Sequence, residues 1–173
     1  MKPFRTGTGI VLLLIAGLQF VPRPPRNRTT ATAGSFANLF APPPEVQQVL
    51  TAACLDCHSN NTRYPWYAML QPVNAFMNRH IQKGKKKLNF DEVAGYGMRK
   101  QRTQFNGIVN ALNKGSMPLR SYTLVHGGLT AAEKEMLIRY FTALKDRSGK
   151  QNGPNGLYTT DKQVALPGKA EQK

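Results

Sequence analysis

Four stretches of the chain place apolar residues three and four positions apart, the spacing that brings side chains to one face of an α-helix. The first predicted helix begins near Pro44 and stops at the turn-favouring residues 59–61, and the second, which Pro72 breaks or kinks, ends at Gly84. The third covers about residues 91–113 and ends at Gly115. No segment shows a convincing strand pattern. The spacing therefore predicts an all-α fold.

The fourth helix has the clearest signals. Thr130 and Glu133 form a T-x-x-E capping box, which predicts where the helix begins. Large apolar residues then recur on one face, and the helix is predicted to end at residues 148–149. The remainder is rich in Gly, Lys and Pro and holds few large apolar residues, so residues 148–173 are predicted to form a flexible, disordered basic tail.

The N-terminal part of the chain has the pattern of an export signal. Lys2 and Arg5 precede an apolar run over residues 10–21, which is short for a helix that crosses ~30 Å of hydrocarbon. A cleaved signal peptide and an uncleaved membrane anchor both fit this run. The predicted organisation is a signal or anchor over 1–21, a Pro-rich linker over 22–43, a domain over 44–147 and the tail. The predicted location is the periplasm, with the domain tethered to the inner membrane.

The charge balance narrows the choice of partner. The chain has 24 Lys and Arg against 9 Asp and Glu, a net charge of +15. Such a balance suits nucleic acid, anionic lipid or an acidic protein, but no nucleic-acid-binding module is recognisable, so nucleic acid is not expected as a partner. A basic strip over residues 79–87 is either a docking face for an acidic redox partner or a solvated surface.

The only two cysteines lie in Cys54-Leu55-Asp56-Cys57-His58, which is C-x-x-C-H, the attachment motif of c-type haem. On a helix, positions i, i+3 and i+4 share one face, so two thiols can form thioethers with the haem vinyl groups while the adjacent imidazole binds iron. This predicts one covalent haem c on Cys54, Cys57 and His58. Three alternatives remain: a zinc site completed by His80 and His126, a thioredoxin-type redox pair, and a plain disulfide.

From Pro44 to about residue 144 the sequence resembles a bacterial haem-binding domain family best known from Bacteroidetes-type proteins. The matching segments are CLDCHSNNTRYPWY at 54–67, LNF at 88–90 and MPL at 117–119, followed by Tyr122 and His126. One departure is Val93, near the place where the family usually has Trp. The resemblance implies a c-type haem domain, which with the helical pattern predicts a small cytochrome c-like helical domain around a covalent haem.

A c-type haem usually takes a second axial ligand, commonly methionine. Met117 is the predicted sixth ligand, because it lies between the helix-ending Gly115 and Pro118, which stiffens the loop. His80 is the alternative; it is otherwise a propionate partner or a surface residue. His126, beside two glycines, is expected to cap or order a loop.

The aromatic cluster after the motif suggests further contacts with the haem. Trp66, Tyr64 and Tyr67 are predicted to wall the haem edge, with ordinary core packing as the alternative for the two tyrosines. Arg63 is predicted to pair with a haem propionate.

The predicted function is one-electron transfer by a protein that is not an enzyme, since no nucleophile–base pair or paired carboxylates are recognisable. The alternative is a haem-based sensor of small ligands, or an accessory haem domain of a peroxidase-like system. Either of these requires a vacant or weakly held sixth position on the iron.

Overall fold

A computed structural model describes residues 3–29 and 34–150. These residues form eight α-helices and two 3₁₀ turns, Trp66–Met69 and Val93–Gly95. The helices, in chain order, are α1 Pro3–Leu18, α2 Phe36–Phe40, α3 Pro44–Ala53, α4 Leu55–His58, α5 Val73–Lys87, α6 Met98–Asn113, α7 Arg120–His126 and α8 Ala131–Lys150. No strand occurs in the described parts, apart from a single isolated bridge between Arg28 and Asn61. The predicted all-α fold is confirmed.

The core lies where α6 and α8 pack along each other, the most extensive helix–helix contact of the fold. Phe105 and Leu112 of α6 are buried against Leu137 and Phe141 of α8. Helix α3 adds Val46, Val49 and Leu50 from one face, as its spacing predicts. This packed layer supports the short helix α4, which follows α3 directly.

The segment predicted as a linker, residues 22–43, contributes to the folded domain. Phe36 is only 3% exposed, and its ring centroid lies 5.2 Å from that of Phe90 and 5.7 Å from that of Phe141. Asn27 is also buried, and its Nδ2 donates to the Ser59 carbonyl at 2.8 Å. The domain boundary near residue 44 is therefore corrected: parts of the proline-rich segment are packed against the helices. Phe36, Leu39 and Phe40 do have helical spacing, but α2 is only five residues long, so the pattern does not extend far enough to predict a helix.

Three predicted helices differ in their bounds. The first does not run unbroken to residue 59, because Cys54 has φ −123° and ψ −46° and separates α3 from α4. The second, α5, begins after Pro72 and continues to Lys87 rather than ending at Gly84. The third begins at Met98 rather than near residue 91, with the 3₁₀ turn Val93–Gly95 before it. Its end is as predicted, since Gly115 has a φ of +63°, which glycine adopts without strain.

The capping box of α8 is confirmed. The Thr130 backbone N–H donates to Glu133 Oε2 at 2.8 Å, and the Glu133 N–H donates to Thr130 Oγ1 at 3.2 Å. The helix continues to Lys150, slightly past the predicted end, and the rest of the predicted tail lies outside the described residues. At the other end, α1 covers much of the predicted signal or anchor run, and no helix among the described residues is both long and apolar enough to cross a membrane.

Candidate haem-attachment site

The C-x-x-C-H motif forms one tight turn at the end of the first helical segment. The backbone N–H groups of Cys57 and His58 both donate to the Cys54 carbonyl, at 3.2 and 3.0 Å. Both cysteines are free, so the disulfide alternative is not what the structure shows. The turn brings two thiols and one imidazole into neighbouring positions, as covalent attachment of a haem requires.

Both thiols are held in an apolar environment. Burial raises the pKa of Cys54 to about 12 and that of Cys57 to about 11. The thiols are therefore neutral at physiological pH. Within residues 3–29 and 34–150, no three His, Cys, Asp or Glu side chains come together as a metal cluster would require. His80 and His126 do not complete a zinc site with the two cysteines.

The ring of His58 is oriented by the protein backbone. Its Nδ1 lies 3.0 Å from the Leu88 carbonyl oxygen. Because a carbonyl oxygen only accepts, Nδ1 must donate, which leaves the lone pair of Nε2 available. Burial lowers the pKa of His58 and so favours the neutral ring. A neutral imidazole whose second nitrogen is fixed by an outer partner is the usual form of a histidine that binds a metal.

One cavity lies on the side of the motif that faces the helical core. We call it the inner cavity; its volume is about 460 Å³ and its walls come mainly from α3, α6, α8 and the loop at residues 116–118. Cys54, His58 and Met117 all line it, together with apolar residues such as Leu50 and Ile108. Met117 is 36% exposed. The predicted sixth ligand thus shares a cavity with the predicted fifth ligand, although it is 59 positions later in the chain.

A second cavity lies on the other side of the motif. This outer cavity has a volume of about 670 Å³ and is lined by Cys57 and by α5 and α7. His80 is on its wall, and its Nδ1 donates to the Phe76 carbonyl at 2.9 Å. His80 is not among the residues that line the inner cavity. The structure therefore places Met117, and not His80, in the cavity that contains the His58 ring.

A polar network supports the motif from the outer side. Arg63 Nε donates to Asp56 Oδ1 at 3.1 Å, and its Nη2 donates to the Thr51 carbonyl at 2.9 Å. The Tyr122 hydroxyl lies 2.9 Å from Asp56 Oδ2 and 2.8 Å from the Ala52 carbonyl oxygen. Burial, and then the nearby charge of Asp56, raises the pKa of Tyr122. The network connects a residue inside the motif to α7, a helix that the sequence did not predict.

This network bears on the role of Arg63. The guanidinium was predicted to pair with a haem propionate, but in the structure it is used by Asp56 and by the backbone of α3. Its hydrogen bond to Asp56 raises the pKa of Arg63 further. Asp56 and Tyr122 were not identified as site residues. Their signal is visible only afterwards: an acid inside C-x-x-C-H with an arginine seven positions later.

The aromatic cluster is divided between the surface and the outer cavity. Trp66 is 76% exposed and lines neither cavity, so the structure does not support the prediction that it walls the haem edge. The 3₁₀ turn that begins at Trp66 buries Ala68 instead. Tyr67 does line the outer cavity, and its hydroxyl lies 2.9 Å from His126 Nε2. His126 is the last residue of α7, and its ring stacks on that of Tyr122 in the same helix at a centroid distance of 4.4 Å.

Comparison with known protein families identifies the family of this chain. A family model described as a haem-binding domain matches residues 13–143, more than half of the chain. The chain belongs to this family. It is a haem-binding protein, and the match includes the whole segment that was predicted to be a linker, residues 22–43. No curated protein and no solved structure matches the chain.

The residues present fit a haem. The two thiols are neither bonded to each other nor ionised, and the imidazole has one nitrogen left for a metal. The inner cavity beside them is lined mostly by apolar side chains, which suits a flat apolar macrocycle. Cys54, Cys57 and His58 are therefore the residues that would hold the haem; Met117 shares the inner cavity with Cys54 and His58, and Cys57 lines the outer one.

Proposed function

We propose that this protein is a c-type cytochrome that carries single electrons in the periplasm. One observation carries the proposal: Cys54, His58 and Met117 line the same apolar cavity, and the Leu88 carbonyl leaves the Nε2 of His58 free. Two thiols and an imidazole on one turn suit one covalent haem. The Met117 thioether, in the same cavity, would be suited to bind the iron as its second protein ligand.

The haem, when bound, supplies an iron that changes reversibly between its ferric and ferrous states. Residues of the chain would orient the haem and control its surroundings. Cys54 and Cys57 fix the orientation of the group, and His58 is kept neutral and aimed by Leu88. As a soft ligand, the sulfur of Met117 would favour ferrous iron more strongly than a second imidazole, that of His80, would. Apolar walls lower the local polarity around the iron and limit the access of water.

Location and partner are part of the same proposal. The apolar N-terminal run supports export to the periplasm with the domain tethered at the inner membrane, which is where thioether attachment takes place. The basic strip on α5 offers exposed cations, Lys83, Lys86 and Lys87, to an acidic redox partner. If this strip steers the encounter, the electron-transfer rate falls steeply with ionic strength, and reversing the charge of Lys86 and Lys87 slows association. Electron-transfer rates that depend on neither ionic strength nor these charge reversals would indicate that the strip is a solvated surface.

A second candidate function is a haem-based sensor of small ligands, or an accessory haem domain of a peroxidase-like system. Two observations favour it: the outer cavity is open beside Cys57, and Met117 lies in a partly exposed loop. Optical spectra of the ferrous protein with and without carbon monoxide separate the two functions. A six-coordinate ferrous haem that binds carbon monoxide slowly supports the electron carrier, and rapid binding supports the sensor.

The attachment itself is tested by mass spectrometry. The full chain, produced with the cytochrome c assembly system, is expected to gain the mass of one haem that resists acid-acetone extraction. Cys54→Ser and Cys57→Ser should each remove one thioether, and the double variant should lose its haem on extraction. An unmodified mass for the parent protein would contradict covalent attachment.

A further inference from the structure

The helix α1 exposes apolar side chains on all sides. Residues 10–15 (Ile, Val, three Leu and Ile) are all exposed large hydrophobics, and no other part of the described chain lies within 4 Å of a Cβ built at Gly9 or Gly17. A helix that is apolar all round is stable only inside an apolar environment. The described domain does not provide that environment.

The end of α1 is nevertheless fixed to the domain. Gln19 Nε2 donates to the Gln71 carbonyl at 3.0 Å, and the Gln71 backbone N–H donates to Gln19 Oε1 at 3.1 Å. Gln71 is buried, so this amide pair is protected from solvent on one side. The helix is thus joined to the domain by a two-bond clamp in addition to the chain itself. Whatever surrounds α1 must lie close to the loop that precedes Gln71.

That loop exposes large apolar side chains. Trp66, Met69 and Leu70 are exposed just before Gln71, and Phe20, directly after Gln19, is 87% exposed. We call these four residues the loop face. Arg23 and Arg26 are exposed close by in the chain. An exposed apolar patch with a Trp and flanking arginines is typical of a surface at the boundary between water and lipid.

We propose that the loop face docks onto a lipid surface with anionic headgroups, with α1 in the same lipid layer. Two features argue for lipid as the occupant: the clamp makes the loop face continuous with an all-apolar helix, and the adjacent cations complement phosphate headgroups. This inference extends the proposed location at the membrane but does not depend on electron transfer. It also gives Trp66 a role that the haem site does not.

The test uses the full-length, haem-loaded protein bound to vesicles of phosphatidylethanolamine and phosphatidylglycerol. Hydroxyl-radical footprinting read by mass spectrometry reports solvent access at Trp66, the only Trp of the chain, and at Met69. Both are expected to oxidise severalfold more slowly on vesicles than in solution. Met98, at the start of α6, serves as an internal control and should not change.

Variants separate docking from simple anchoring. Gln19→Ala removes the clamp while keeping α1 apolar, so it should still bind vesicles but lose most of the protection at Trp66. Gln82→Ala, which changes an exposed glutamine on α5, should behave like the parent. Vesicles of phosphatidylcholine alone should give less protection, because they carry no net negative charge.

Three results would overturn the inference. If the protein binds vesicles while Trp66 oxidises at its solution rate, α1 enters lipid without docking of the loop face. If the full-length chain does not bind vesicles, the lipid contact of both elements is wrong, whereas the covalent haem is judged separately by mass. If protection is equal on phosphatidylcholine, the requirement for anionic headgroups is wrong.

Discussion

The two sides of the attachment turn differ in what they offer a cofactor. The inner cavity has mostly apolar walls and contains two groups suited to iron, the His58 imidazole and the Met117 thioether. The outer cavity is larger, its surface is also largely apolar, and the residues around it include Arg63, Tyr122 and His80. The His58 imidazole and the Met117 thioether therefore line one cavity, whereas His80 and a network of hydrogen-bonded side chains line the other.

The polar groups of the outer side are largely used within the protein. Arg63 and Tyr122 both bond to Asp56, and Tyr67 bonds to His126. These bonds connect the motif to α7 and to the 3₁₀ turn at Trp66. We therefore expect the two sides to have different roles, a division in which the inner side sets the chemistry of the iron and the outer side holds the attachment turn in place. Three predictions test this division.

The largest effect is expected at the sixth ligand. Met117→Ala should lower the reduction potential by on the order of 100 mV, within the ~0.8 V range that axial ligands cover. It should also remove the weak near-red charge-transfer band of Met-ligated ferric haem and let carbon monoxide bind quickly. Potentiometry and optical spectroscopy measure these properties.

His80→Ala is the matched control from the outer side. It should leave the potential, the near-red band and carbon monoxide binding nearly unchanged, because His80 does not line the inner cavity. A large effect of His80→Ala with a small effect of Met117→Ala would reverse the assignment and give a low-potential bis-histidine haem. If neither variant has a large effect, no side chain holds the sixth position on the iron firmly.

An intermediate effect is expected where α5 supports the turn. A Cβ at Gly84 would lie 2.5 Å from the Cys57 carbonyl oxygen, and backbone cannot move aside as a flexible side chain does. Gly84→Ala should therefore destabilise the protein by roughly 1–3 kcal/mol, the usual range for overpacking. Thermal or denaturant unfolding of the haem-loaded protein measures the loss.

Gly95→Ala is the control for this substitution, because nothing lies within 4 Å of a Cβ built there. Its effect on the free energy of unfolding should be within about 1 kcal/mol of zero. Equal stabilities of the two variants would show that α5 does not hold the turn closely. The division between the two sides would then lose its structural basis.

The parts of the structure that the sequence predicted are those with local causes. The start of α8 follows from Thr130 and Glu133, which lie three positions apart and bond to each other. The end of α6 follows from Gly115, which adopts a positive φ. The motif at 54–58 is local too, since its spacing within one turn determines its chemistry.

The parts that were missed or misplaced depend on contacts between distant segments. Phe36 looked like a linker residue because its partners, Phe90 and Phe141, are more than fifty positions away. The bond between Arg63 and Asp56 spans only seven positions, but it was not predicted because Asp56 was considered only as a spacer in the motif. Helix α7 buries none of its residues, so it has no apolar face for a periodic pattern to reveal.

The smallest effect is expected from the network behind the motif. Tyr122→Phe removes a hydroxyl that lies within 3 Å of both Asp56 Oδ2 and the Ala52 carbonyl oxygen. Asp56 keeps its bonds to Arg63, so the loss should be about 1–2 kcal/mol in the free energy of unfolding. Tyr67→Phe, whose hydroxyl bonds to His126 at an exposed site, should cost less.

The pH dependence of stability gives this last prediction a second, independent readout. The pKa of Tyr122 is raised above its ordinary value of 10.0, chiefly by burial. The unfolded chain therefore releases this proton at a lower pH than the folded protein, so stability falls as the pH rises above 10.0. Tyr122→Phe removes this contribution, and its loss of stability between neutral pH and pH values above 10.0 should be smaller than that of the parent. If Tyr122→Phe keeps the parental slope, while being as stable as the parent at neutral pH, the outer network does not hold the attachment turn, and the inner side must do so alone.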